Sequence, residues 1–274
     1  MSSTDKPDVI IFMTDEERAI PPYETSEVLE WRDKALTGRN WFRDNGVSFN
    51  RHYTGSLACV PSRPTLFTGQ FPDVHGVTQT DGLGKDAYDT RMRWLPPREV
   101  PTLGHWFRAA GYDTHYDGKW HISHADLIDE STGQPLATNT SDGTIIQDAV
   151  EQYLEVNPLN EYGFSGWVGP EPHGGLLGNS GIIRDPLIAD RTVNWLEDRY
   201  RRRNQGDSDA LKPFLLVVSF VNPHDIVLLP LYMRRPENNP YLPCDLDPPE
   251  IPIPPTRYED LSSKPAAQVA YKHS

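Results

Sequence analysis

The segment Cys59-Val60-Pro61-Ser62-Arg63, running on to Thr68-Gly69, places a thiol, two residues suited to a helix start and an arginine within five positions. A cysteine thiol is a nucleophile, or a handle for modification, once its surroundings favour ionisation. A helix beginning here would turn its unpaired backbone N–H groups and its positive dipole end toward Cys59. Arg63 adds a permanent cation with a planar fork of donors. Together these suit an anionic tetrahedral group, a sulfate or a phosphate. On these residues alone, a small buried cysteine ahead of an ordinary proline-led helix is an equally good reading.

Three other stretches carry groups that would complete such a site. Gly118-Lys119-Trp120-His121 offers a glycine for close backbone approach, a point cation for an oxyanion and a histidine donor. Asp15 and Glu16 follow an apolar run, and paired carboxylates are what hard cations such as calcium or magnesium take. In Asn222-Pro223-His224-Asp225 a histidine is placed to protonate a leaving-group oxygen. Each stretch has a plain alternative: a surface lysine and a packing histidine, an acidic loop, a turn histidine.

Buried strands must deliver these groups. Val9 to Met13 and Phe214 to Val221 are short apolar runs of the kind found in parallel sheets, and Tyr112 to Tyr116, following a helix and a glycine, reads as a third strand. Their carboxyl ends lead to Asp15, Lys119 and His224, where open α/β sheets place ligands. Helical character covers Ser26 to Asn45 and Pro101 to Ala110, and Asp185-Pro186 reads as the start of a helix reaching Arg203. Val47 to Tyr53 reads as a strand. The run Arg199-Tyr200-Arg201-Arg202-Arg203 reads as a solvated helix end. Residues 122–181 are polar and glycine-containing, and read as surface loops that include Trp167 and His173. A proline-rich covering loop is expected from Asn238 to Pro255.

Cys-x-Pro-Ser-Arg followed by Thr-Gly at 59–69 resembles the signature of the sulfatase family, within the alkaline-phosphatase-like superfamily. Gly111-Tyr112-Asp113-Thr114 with Gly118-Lys119-Trp120-His121 resembles its second signature, and the stretches at 10–16 and 222–225 fit more loosely in the same order. The resemblance implies an α/β fold with a mostly parallel central sheet flanked by helices. It implies one sulfatase-like N-terminal catalytic domain over 1–274, lacking the second metal-ligand pair and the C-terminal subdomain. It implies hydrolysis of a sulfate ester by a formylglycine made from Cys59 by a formylglycine-generating enzyme. Arg63, Lys119, His121 and His224 would be catalytic. Asp15, Glu16 and the modified Cys59 would hold a divalent metal, calcium first, with magnesium or manganese as alternatives. Glu16 departs from a second aspartate, and Asp117 from a small or apolar residue. A phosphonate monoester or phosphodiester hydrolase, or a non-catalytic fragment, are the competing functions.

With 274 residues, 37% of them hydrophobic, the chain can bury a real core. A net charge of −13 argues against nucleic-acid or anionic-membrane partners and demands a local cationic pocket for an anionic substrate. The two cysteines, Cys59 and Cys244, make no disulfide framework. No membrane-length apolar run or signal-type leader is evident, so the expected location is cytoplasmic.

Overall fold

A computed structural model describes residues 6–82, 85–172, 176–228 and 248–272. The chain divides into two compact units, one from 1–17 and 53–240, the other from 18–52 and 241–274.

The first unit is built on a parallel three-stranded sheet in the order β1-β5-β2: β1 is Val9–Asp15, β2 is Asp113–Gly118 and β5 is Phe214–Pro223. This is the α/β arrangement expected. The central strand is apolar from Phe214 to Val218 because both its faces are covered there. Leu215 and Val217 enter a core with Val60, Phe67, Tyr116, Trp120 and Phe164. Phe214, Leu216 and Val218 enter a second core with Ile188, Trp195 and Leu196. β1 buries Val9, Ile11 and Met13 against the first core, while Ile10 and Phe12 on its other face are 39% and 46% exposed. The helices are α3 (Cys59–Thr68), α4 (Pro72–His75), α5 (Leu103–Ala109), α6 (Gln147–Val156) and α7 (Gly181–Asn204). Two-residue strands β3 (Ile128–Asp129) and β4 (Gln134–Pro135) form a small antiparallel ladder.

α7 is fixed to β2 by a matched series. Asp113, His115 and Asp117 leave one face of β2, two residues apart, about 7 Å per step. Arg199, Trp195 and Arg191 lie four residues apart on α7, about 6 Å per step. Arg199 pairs with Asp113 at 2.6 Å, Trp195 stacks on His115 at 4.6 Å, and Arg191 grips Asp117 with two nitrogens at 3.0 and 2.6 Å. Asp117, the family departure, is therefore a buried structural anion on the α7 side. Arg191→Met would leave that carboxylate without its cation and should cost about 3 kcal/mol in urea unfolding.

Several sequence expectations change. α7 begins at Gly181, and Asp185 lies inside it rather than capping it. The Asp185 carboxylate instead accepts the amides of Val221 and Asn222 at 2.7 and 2.9 Å, a stronger use of the charge than a solvent-facing cap. Arg199 and Arg203 are not a solvated end: Arg199 is 4% exposed, and Arg203 pairs with Asp8. Residues 122–181 are not all surface loop. They contain α6, and Trp167 is fully buried with Nε1 donating to the Gly118 carbonyl at 2.8 Å.

The second unit contains α1 (Ser26–Ala35), α2 (Thr37–Asn45) and α8 (Ala266–Lys272). The single helix expected over 26–45 breaks at Leu36, whose φ and ψ of −99° and 57° leave the helical region. Val47 to Tyr53 forms no strand; no partner strand meets it among the described residues, and Val47, Phe49 and Tyr53 are about 80% exposed. Cys244, His173 and most of the expected proline-rich loop lie outside the described residues.

Candidate active site

The carboxyl ends of the three strands and the start of α3 supply one cluster. β1 ends on Asp15, β2 leads into Lys119 to His121, and β5 leads into His224. α3 starts at Cys59 behind Ala58, which offers no side-chain cap, and Gly69 at φ +71° ends it. Arg63 is one turn along α3 from Cys59 and points beneath the sheet edge.

Arg63 and Lys119 are buried cations, 3% and 0% exposed. Lys119 Nζ pairs with Asp15 Oδ2, and Arg63 Nη2 lies 3.5 Å from Asp15 Oδ1. Burial pushes the Asp15 carboxyl up, but the two cations outweigh it and hold it down at about 2. Arg63 Nη1 donates to the Lys119 carbonyl at 2.6 Å and to Ser219 Oγ at 3.2 Å. The Tyr116 hydroxyl donates to the same Lys119 carbonyl at 2.6 Å, and burial pushes its own ionisation up to about 12. Arg63 thus has its fork divided between holding the backbone of the Lys119 turn and facing the site.

Gly118 lets that turn exist. Its φ is +95°, and a Cβ there would lie 2.0 Å from the Ser219 carbonyl oxygen of β5. Gly118→Ala combines a left-handed backbone with a backbone clash, and should cost about 3 kcal/mol or more, read as a lowered urea midpoint. Two non-glycine residues at the site share this left-handed conformation: Glu16 at φ +66° and His121 at φ +51°. Such conformations cost of order 1–3 kcal/mol and persist where surroundings impose them.

Residues without a sequence signal complete the pocket. Thr80 Oγ1 lies 3.7 Å from Cys59 Sγ, and the next residue, Asp81, meets His121 Nε2 at 2.9 Å. The Thr80-Asp81 step therefore ties the α3 start to the β2 turn. At β5, His224 Nδ1 meets Asp225 Oδ1 at 3.1 Å, and Asp225 Oδ2 accepts the first α7 amide, Gly181 N, at 2.7 Å. An imidazole held at Nδ1 presents Nε2 outward. His224 is also within electrostatic reach of Asp15.

The structure therefore brings together Asp15, Cys59, Arg63, Lys119, His121 and His224. Glu16 is exposed and makes no ion pair with the cluster among the described residues. Nor, among those residues, do three His, Cys, Asp or Glu side chains converge as a metal ion needs. Calcium takes six to eight oxygens, and the buried carboxylate here is already occupied by an ammonium. The described side chains do not make a complete metal site.

A strand-end acid, two buried cations and a helix-start cysteine gather at the carboxyl edge of the parallel sheet of an α/β protein. The model of the sulfatase family matches residues 7–247, and the chain belongs to that family. It is 29% identical over 196 residues to the uncharacterized sulfatase YidJ of Escherichia coli K12, covering 69% of this chain and 34% of that protein. It is 25% identical over 268 residues to the choline-sulfatase of Rhizobium meliloti 1021, covering 96% of this chain and 46% of that protein. The chain thus spans between a third and a half of these relatives. Among solved structures, a 2-O GAG sulfatase, BT1596, aligns at TM-score 0.40 and 19% identity, covering 81% of this chain and 36% of that one. No helix among the described residues is long and apolar enough to cross a membrane.

Proposed function

We propose that this chain carries the ester-binding half of a sulfatase, which hydrolyses a sulfate ester to an alcohol and inorganic sulfate from residue 59. The observation that carries this is the buried Arg63–Lys119 cation pair beside the start of α3, in a chain whose overall charge is −13. Two desolvated cations are a strong device for an anionic tetrahedral group and for charge that builds up in its transition state.

Family membership supports conversion of Cys59 to formylglycine by a generating enzyme. One hydroxyl of the aldehyde hydrate attacks sulfur and releases its proton to solvent, while the bond from sulfur to the ester oxygen breaks and that oxygen leaves as the alcohol with a proton from His224. That gives a sulfated residue 59. The second hydroxyl then loses its proton, the carbonyl reforms, and sulfate departs. The route splits one hard displacement into two. Lys119 and His121 hold the sulfuryl oxygens, Arg63 holds the nucleophile's surroundings, and Asp81 orients His121. A divalent cation, calcium by preference for oxygen, would draw on Asp15 and Glu16 and would have to displace Lys119 from Asp15. The remaining donors would come from outside the described residues.

Peptide mass spectrometry on protein from its native host tests the nucleophile. Formylglycine at 59, with release of sulfate from an aryl sulfate faster than phosphate from the matching aryl phosphate, is the expected result. Unmodified cysteine in a host that modifies other sulfatases would overturn it. Faster phosphate release would move the chain to the phosphonate and phosphodiester hydrolases.

A further inference from the structure

Beneath the Lys119 turn lies a carboxylate with no part in the chemistry above. Glu171 accepts the amide of Trp120 at 3.1 Å on each oxygen and the amide of His121 at 2.9 Å. Two successive N–H groups turned toward one anion form a nest, a shape that an anion stabilises. His121 is the residue of that pair with φ +51°, so the carboxylate sits where backbone strain needs an outside hold. Glu171 is itself anchored: its amide donates to Asp126 Oδ1 at 2.6 Å, and its carbonyl accepts Asn179 Nδ2 at 2.6 Å.

We infer that Glu171 is a positioning residue, whose carboxylate locks the backbone of Trp120 and His121 and so aims Lys119 and His121 into the pocket. The inference rests on the roles given above to Lys119 and His121. Arg63 and Tyr116 hold the carbonyls of that turn and the Lys119 amide donates to Ser219, but the amides of Trp120 and His121 have Glu171 as their acceptor. The side chains of Lys119 and His121 are engaged with Asp15 and Asp81, which fixes their tips and not the backbone between them.

Burial first, then the neighbouring Asp126, pushes the Glu171 carboxyl up to about 7. The His121 amide and the cations Arg63 on α3 and Lys119 after β2 pull the other way. Arg184 of α7 acts on both Asp126 and Glu171, and the buried hydroxyls of Tyr116 on β2 and Tyr153 on α6 also face Glu171. Protonated Glu171 turns one oxygen from acceptor to donor, and the nest loses an acceptor.

The test uses the full chain labelled with nitrogen-15. In the wild type, the amide protons of Trp120 and His121 should move together with pH around a midpoint near 7, while the amide of Leu216 in the core stays still. In Glu171→Gln the shared step should vanish. Inorganic sulfate, measured by calorimetry, should bind about tenfold more weakly to that variant at pH 8. Two amides that do not titrate together in the wild type would overturn the inference without any variant, so a misfolded Glu171→Gln does not shelter it. A variant that keeps the step, or binds sulfate as tightly as the wild type, would also overturn it. Loss of the step in the variant alongside a wild type that binds no sulfate would uphold the lock and count instead against the sulfate pocket.

Discussion

Lys119→Met will cost the fold about 3–5 kcal/mol in urea unfolding and weaken inorganic sulfate binding by about ten- to hundredfold. Lys119 is fully buried, and its ammonium lies on Asp15 while Arg63 stands 3.5 Å from the same carboxylate. Removing it leaves a buried anion with one distant cation in place of two. Asp15→Asn should cost a similar amount for the opposite reason, because two buried cations then face each other. The double variant should be more stable than the sum of the two losses by about 1–3 kcal/mol, since each change removes what the other leaves stranded. Asp15 also sets an acid limb. Its folded ionisation at about 2 lies below its ordinary 3.8. A depressed carboxyl contributes stability that is whole above pH 4 and is lost as pH falls toward 2, here about 2 kcal/mol. In Lys119→Met that limb should shrink, because the folded ionisation of Asp15 rises toward its ordinary 3.8. A loss below about 1 kcal/mol would mean that water enters the cluster and screens it.

The second large effect belongs to Cys59. Cys59→Ala should lower turnover of an aryl sulfate by at least about a thousandfold while leaving affinity for inorganic sulfate within a few-fold of the wild type. The cations proposed to grip the anion are Arg63 and Lys119, and neither depends on the thiol for its place. Cys59 is half-buried at the margin of the first core with Thr80 beside its sulfur, so the alanine removes one small atom from the edge of the packing. Equal loss of affinity and turnover would make residue 59 part of the anion grip. Unchanged turnover would remove it from the reaction.

Much of this was legible before any coordinates. The three strands announced themselves because β5 is apolar on both faces and β1 and β2 feed short runs into polar turns. The spacing of Gly118 and Lys119 to β2 placed the cation at the sheet edge. Other residues carried no local sign. Thr80 and Asp81 sit in a polar stretch that resembles any loop, and only the fold shows that they touch Cys59 and His121. Glu171 reads as a loop acid because its partners are backbone amides fifty residues away. Asp185 misled for a related reason. Asp-Pro is a good local helix start, but a long-range demand from the Val221 and Asn222 amides took the carboxylate, and Ser180 and Gly181 opened the helix instead. Val47 to Tyr53 has strand-like composition, yet a strand is a paired object and composition does not supply a partner.

The alternation along β2 has a consequence for how this protein can change. Asp113, His115 and Asp117 answer to α7, whereas Tyr116 between them enters the first core and donates to the carbonyl of Lys119, just past the strand end. Heat tolerance and chemistry are thus written on interleaved letters of one strand. A joint Asp117→Leu and Arg191→Met exchange would swap an ionic rivet for an oily one behind the sheet without a change of charge in front of it. The α7-facing side chains of β2 can thus be exchanged without touching Tyr116 or the turn that carries Lys119.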